Sequence, residues 1–209
     1  MVERQLRRRG IDDERVLAAM AAVPRDRFVP PDQRRRSYAD GALPIGHGQT
    51  ISQPWIVAAI CQALETDGTE TVLEVGTGSG YSTAVLAQLV RQVITIERVA
   101  ELASFARNML ADLGSANVEV IEGDGSAGLP ERAPFEGIAV HATAPAAPRS
   151  LLGQVAPGGR LVVPIASDGA DMLTAFRRVN GDADDSASFE ARTLGPCRFV
   201  PLIGTEGFS

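Results

Sequence analysis

Residues 72 to 81 read VLEVGTGSGY: an apolar run, a carboxylate at Glu74, then glycines at 76, 78 and 80. With the β-branched TVLEV at 71–75 in front and the helical YSTAVLAQLV (81–90) behind, this is a strand that turns on glycines straight into a helix. Such a unit aims backbone N–H groups and a helix N-terminus at a ligand beyond the carboxyl edge of a parallel sheet. The chain from residue 54 to 165 alternates in the same sense. PWIVAAICQALE (54–65) reads as a helix opened by Pro54, and QVITIE (92–97) as a second strand. Residues 98–113 predict a helix because Val99, Leu102, Ala103, Ala106, Leu110 and Leu113 recur at the helical period, and Gly114 then ends it. VEVIEGD (118–124), FEGIAV (135–140) and GRLVVPI (159–165) read as strands three to five, with a helix near 147–155 between the last two. The alternation predicts an α/β fold, a parallel sheet with helices on both faces.

The flanks are different. Residues 2–9 and 13–22 have helical patterning, separated by Gly10 and followed by Pro24. FVPPDQRRRSYADGALPIGHGQTISQP (28–54) has no period, and a long irregular segment whose Ile, Leu, Tyr and Phe content argues against disorder is a site candidate. After residue 170 come MLTAFRRV (172–179), SFEARTL (188–194) and CRFVPLI (197–203), with the turn-rich NGDADDS (180–186) between the first two. Strands without helices between them predict an antiparallel addition at the sheet edge. A length of 209 residues suits one domain, divided here into an N-terminal covering segment (1–53), an α/β core (54–170) and C-terminal strands (171–209).

Composition mainly excludes. No run approaches the roughly 18 apolar residues of a membrane span, and MVERQLRRRG has no apolar core like a signal peptide's, so a cytoplasmic protein with no membrane partner is expected. All 20 basic residues are arginine, and against 26 acids they leave a net charge of −6, which offers nucleic acid no bulk attraction. The clusters Arg7–Arg9 and Arg34–Arg36 have acidic neighbours and read as solvated helix faces. Cys61 and Cys197 read as free thiols in apolar segments, and with His47 and His141 they make no metal-ligand spacing.

The glycine loop, Gly76, Thr77, Gly78, Ser79 and Gly80, departs from both phosphate-binding patterns. The dinucleotide fingerprint requires Gly or Ala at position 81, where this chain has Tyr81, and a P-loop requires a lysine the chain lacks. Glu74, two residues before the first glycine, would repel a pyrophosphate and attract a cation. S-adenosylmethionine meets that demand, having an ammonium and a sulfonium and no phosphate. Glu97, followed by Arg98, ends the second strand where a carboxylate can accept both hydroxyls of a ribose. Asp124, followed by Gly125, ends the third and is placed to accept from an adenine amino group. One such acid is common by chance, whereas three in register with the glycine loop point to this donor.

The chain resembles the protein-L-isoaspartate O-methyltransferase family over nearly its whole length. The resemblance is carried by VPRDRFVP (23–30), YADGALPIGHGQTISQP (38–54), LEVGTGSGY, TIER (95–98), EGDG (122–125), APFEGIAVHATAP (133–145), PGGRLVVPI (157–165) and RFVPL (198–202). LPIGHGQTISQP is the most specific of these and lies in the irregular segment. The resemblance implies a Rossmann-like class I methyltransferase, acting as a monomer in repair of damaged proteins. Its acceptor would be the free α-carboxylate of an L-isoaspartyl residue, and its product S-adenosylhomocysteine. The ester would then collapse to a succinimide that reopens in part as aspartate. By the same resemblance Ser52 orients the acceptor carboxylate, Thr50 and Ile51 flank the donor, and RFVPL helps hold the peptide. As read from the residues alone, Ser52 is equally a helix cap before Gln53-Pro54, and Arg198 suits a surface ion pair as well as a substrate carboxylate.

The chemistry asks little of the chain. An α-carboxylate with a pKa of roughly 3.5 is already ionised at neutral pH, so no general base is needed. Alignment of the partners and exclusion of water should carry the rate. The sequence departs from the family at HATAP (141–145), where a threonine commonly stands in place of His141. That histidine either fills space with one hydrogen bond or titrates near the sulfonium. Competing readings are a carboxylate methyltransferase with a dedicated small substrate and a donor-binding protein without turnover.

Overall fold

The computed structural model describes residues 1–179 and 188–208. The expected turn at NGDADDS lies outside them. Residues 2–9 form a π-type turn (Val2–Leu6) and a 3-10 turn (Arg7–Arg9), not the regular helix their pattern predicts. Helix α1 (Glu14–Ala22) follows, capped by the Asp13 carboxylate, which accepts from the N–H groups of Arg15 and Val16. Two 3-10 turns, Arg25–Phe28 and Pro31–Arg36, lead into a small antiparallel hairpin of β1 (Leu43–Gly46) and β2 (Gln49–Ile51). The segment read as irregular therefore has order of its own, built on turns that a periodicity search does not register.

The α/β part follows in the predicted sequence: α2 (Pro54–Leu64), β3 (Thr71–Val75), α3 (Tyr81–Ala87), β4 (Gln92–Glu97), α4 (Ala100–Asp112), β5 (Val118–Glu122), β6 (Phe135–Val140), α5 (Arg149–Leu152) and β7 (Val155–Ile165). β8 (Asp171–Arg178) and β9 (Phe189–Cys197) complete it. Helices α3 and α5 are shorter than their patterns suggest, and β7 begins before Gly159. The seven-stranded sheet has the order β5-β4-β3-β6-β7-β8-β9, parallel through β7 and antiparallel at β8 and β9. The chain winds outward from β3 to β5 and then crosses back to β6, so the carboxyl ends of β3 and β6 bound the crevice where such sheets bind ligands.

The third antiparallel strand expected at Cys197–Ile203 does not form. After β9 the chain crosses the carboxyl end of the sheet, with Thr143 N–H donating to the Val200 carbonyl (2.8 Å) and Leu202 N–H to the Thr143 carbonyl (2.8 Å). Apolar residues in this segment face the cleft and the sheet end, a burial that alternation alone does not distinguish from a strand.

Side-chain parity along β3 divides the core. Val72 packs beneath α2 and α3 with Val93, while Leu73 and Val75 join Ile94, Ile96, Ile138 and Val140 on the other face. Glu74 shares the face of Val72 and so lies under α3 rather than at the open end of the strand.

Candidate active site

The glycine loop, the end of β4, the hairpin and residues 199–203 enclose a cleft of about 1080 Å³, part of it open to solvent. The loop is pinned at its base, Gly76 N–H donating to the Ile96 carbonyl (2.9 Å). Gly76 has φ 93° and would place a Cβ 3.4 Å from the His141 Cβ, so a side chain here is strained and also crowds the strand next door. Gly80, at φ 88°, caps α3 and faces Ala106 of α4 at 3.2 Å from a built Cβ. It therefore turns the chain from the back and does not line the cleft.

Glu97 is the acid the cleft displays. Its Oε2 accepts from Gly78 N–H (2.8 Å) and its Oε1 from Val99 N–H (2.9 Å), which fixes the carboxylate while leaving each oxygen a further lone pair. Arg98 lies beside it on the wall. Ser79 is buried, and its hydroxyl has no partner among the described residues.

Glu74 lies a layer below. Its Oε2 accepts from the hydroxyls of Thr83 and Thr95, and Thr95, having donated its proton, is left to accept from Thr77 at 2.6 Å. His141, at the carboxyl end of β6, brings Nε2 to 2.8 Å from Ser82 Oγ and 3.2 Å from Glu74 Oε1. The second distance is a contact without hydrogen-bond geometry, and Oε1 has no other partner among the described residues. His141 itself lines the cleft, so it separates Glu74 from the opening.

Asp124 is also off the wall, although its neighbours Gly123 and Gly125 line it. Its Oδ1 accepts from Ser126 N–H (2.8 Å), and its Oδ2 from the N–H (2.9 Å) and hydroxyl (3.0 Å) of Thr205. Burial pushes this carboxyl up, but the N–H groups of Thr205 and Ser126 and their hydroxyls outweigh it and hold the pKa at about 2.

Thr50, Ile51 and Ser52, brought there by β2, also line the cleft. The capping alternative for Ser52 is not taken: Gln53 is the N-cap of α2, without a side-chain cap bond. Ser52 and Phe199 belong both to this cleft and to an adjoining hollow lined by Arg9, Trp55, Cys197 and Arg198. Burial pushes the Cys61 thiol up, and Cys197 is raised to about 11 by burial first and the charge of Asp171 second, so neither thiol is primed as a nucleophile. Tyr81 and Ser82, unmarked at the start of α3, prove to line the cleft; their position after a glycine turn was the available signal. Among the described residues no group of three or more His, Cys, Asp or Glu side chains could hold a metal ion, and no helix is long and apolar enough to cross a membrane.

The family model for protein-L-isoaspartate(D-aspartate) O-methyltransferase matches residues 1–207. A protein-L-isoaspartate O-methyltransferase of Rhodopseudomonas palustris is 50% identical over 210 residues, covering 100% of this chain and 84% of that protein. One from Koribacter versatilis is 49% identical over 209 residues, covering 100% and 91%. Among solved structures, a Plasmodium falciparum protein-L-isoaspartate O-methyltransferase in complex with S-adenosyl-L-homocysteine superposes with a TM-score of 0.80 at 27% identity, covering 94% of each chain. A further protein-L-isoaspartate O-methyltransferase gives a TM-score of 0.84 at 26% identity over 99% of this chain and 67% of that one.

Proposed function

The chain belongs to the protein-L-isoaspartate(D-aspartate) O-methyltransferase family, and from that premise we propose how its own residues serve a repair methyltransferase that uses S-adenosylmethionine. The observation that carries the assignment of roles is that Glu97 with the glycine loop and Ser52 with the β1–β2 hairpin line one cleft. The glycine loop and Glu97 receive the donor, and Ser52 receives the acceptor.

The cleft suits such a donor. Gly78 N–H and Val99 N–H lock Glu97 so that its free lone pairs can accept a diol, the buried Ser79 hydroxyl has no partner among the described residues, and no lysine exists to attract a phosphate. At Gly125 a Cβ would come within 2.9 Å of Val75 Cγ1, so this wall admits only backbone. Gly76, Thr77, Gly78 and Ser79 supply the floor, with Thr50, Ile51, Arg98 and Gly125 around it. Glu74 contributes negative charge from below, relayed by Thr95 to Thr77, and Gly80 sets the turn. Asp124 acts on the donor side by anchoring Thr205 and with it the segment that walls the cleft. When bound, S-adenosylmethionine supplies an electrophilic methyl group on a positively charged sulfur.

Ser52 orients the free α-carboxylate of an isoaspartyl residue. That carboxylate is ionised at neutral pH, so the residues have only to align it, and the apolar wall Phe199–Ile203 excludes water from the place of attack. His141 is engaged with Ser82 and Glu74 and fills space with these contacts rather than serving as a base. Residues 1–209 act as one methyltransferase unit. The reading includes a monomer, supported by Tyr38 and Phe105 being the exposed large hydrophobic side chains of the described residues, and a cytoplasmic location, supported by the free cysteines. Light scattering at one chain mass checks the former.

Transfer of labelled methyl to peptides differing only in L-isoaspartate or L-aspartate tests the activity. Label should enter the isoaspartyl peptide alone. Equal labelling of both peptides, or of neither, would refute it.

A further inference from the structure

Arg25 is wholly shut off from solvent, and no carboxylate lies within ion-pair distance of it among the described residues. An unpaired buried guanidinium is costly. Desolvation is the largest influence on it and lowers its pKa to about 10, partly offset by Tyr81, so it keeps its charge at neutral pH. Its contacts show what the charge is held for. Nε donates to the Ser37 carbonyl (2.7 Å), Nη2 donates to the Ser52 carbonyl (2.7 Å), and the guanidinium carbon lies 4.8 Å from the centroid of the Tyr81 ring. Nη1 is buried without a hydrogen-bond partner among the described residues.

Ser37 and Ser52 bracket the segment that carries the hairpin, whereas Tyr81 is the first residue of α3 and lines the cleft beside the glycine loop. One side chain thus ties the acceptor wall to the donor wall. Its bond to residue 52 is made to the main chain, which leaves the Ser52 hydroxyl free for the cleft.

We propose that Arg25 is a positioning residue for the acceptor, fixing the Ser52 main chain against Tyr81 and holding an uncompensated positive charge behind the place where the acceptor carboxylate docks. The proposal rests on Ser52 being the contact for that carboxylate. Methylation removes the carboxylate's charge, so an attraction to Arg25 favours the acceptor over the ester product. It acts on binding and release more than on the barrier between them. Lysine is a poor replacement, because it keeps the charge and loses both the two-pronged grip and the stacking plane.

Steady-state kinetics on an isoaspartyl peptide, calorimetry with S-adenosylhomocysteine and thermal unfolding, applied to Arg25→Met, Arg25→Lys and Ser52→Ala, test this. Arg25→Met should raise the peptide KM by about tenfold to a hundredfold, the range for hydrogen bonds to a charged group. It should lower kcat much less and leave the dissociation constant of S-adenosylhomocysteine unchanged. Arg25→Lys should recover part of the KM. A merely structural role would lower kcat and donor affinity along with thermal stability and leave the KM of the remaining folded enzyme as it was, and that result overturns the proposal. A raised KM in Ser52→Ala with none in Arg25→Met overturns the role of Arg25 alone. No rise in Ser52→Ala removes Ser52 from the acceptor site. If Arg25→Met does not fold, Arg25→Lys decides: a raised KM with donor affinity kept supports the assignment, and an unchanged KM ends it.

Discussion

Glu97 shows how a single carboxylate is made into a recognition element. Two backbone N–H groups, from Gly78 and Val99, hold it from both sides, so it loses little freedom when it accepts from a ligand. Removing it deletes the acceptor and also strands the Gly78 N–H. Glu97→Ala should therefore weaken S-adenosylhomocysteine binding by about 1.5–3 kcal/mol, the range for hydrogen bonds to charged groups, while the protein remains folded by circular dichroism. Calorimetry giving the parent's affinity would take Glu97 out of the donor site. Glu74 has the same chemistry and a different fate. Parity along β3 turns it beneath α3, where hydroxyls of Thr83 and Thr95 satisfy one oxygen.

The element with most influence on the cleft is the segment from Phe199 to Phe208. It is held by main-chain bonds to Thr143 and by the Asp124 carboxylate on Thr205, and its residues 199–203 form one wall. Asp124 has a folded pKa of about 2, below the ordinary aspartate value of about 3.9. A carboxyl depressed in the folded state contributes stability that is fully present above the unfolded value and lost as pH falls through the folded one. Protection of the Thr205 amide in hydrogen exchange, corrected for intrinsic rates, should thus hold from neutral pH to about 4 and decline toward 2. Asp124→Ala should show the same loss at neutral pH, and unchanged protection there would mean that the Thr143 bonds alone secure the segment. The pattern of CRFVPLI resembles a strand because apolar burial against a cleft and against a sheet select the same residue types.

For the molecule as a whole, the cleft gathers residues from β2, β4, the glycine loop, the two residues after β6 and the C-terminal segment, so a ligand there links parts that are far apart in sequence. Binding to the folded state alone adds about 2.7 kcal/mol at a hundredfold excess over the dissociation constant. For a domain of this size each kcal/mol corresponds to about 2–4 °C. S-adenosylhomocysteine at that excess should raise Tm by about 5–10 °C, and NAD at the same concentration should leave it unchanged. A shift with NAD and none with S-adenosylhomocysteine would contradict a site built for an unphosphorylated cationic donor.

The sequence by itself determined the order of strands and helices from α2 to β9, the glycine turn into α3 and the presence of acids at three successive strand ends, because these depend on backbone preferences and side-chain period over a few neighbouring residues. Tertiary structure alone decided which acid faces the opening. Glu97 does; Glu74 is covered by α3 and His141, and Asp124 is taken by Thr205, 81 residues away. It likewise decided that Arg25, followed in sequence by the polar Asp26 and Arg27, is buried between Ser52 and Tyr81. A carboxylate or guanidinium is committed by whichever distant segment brings it a partner, and that choice is made by the packing of the whole chain.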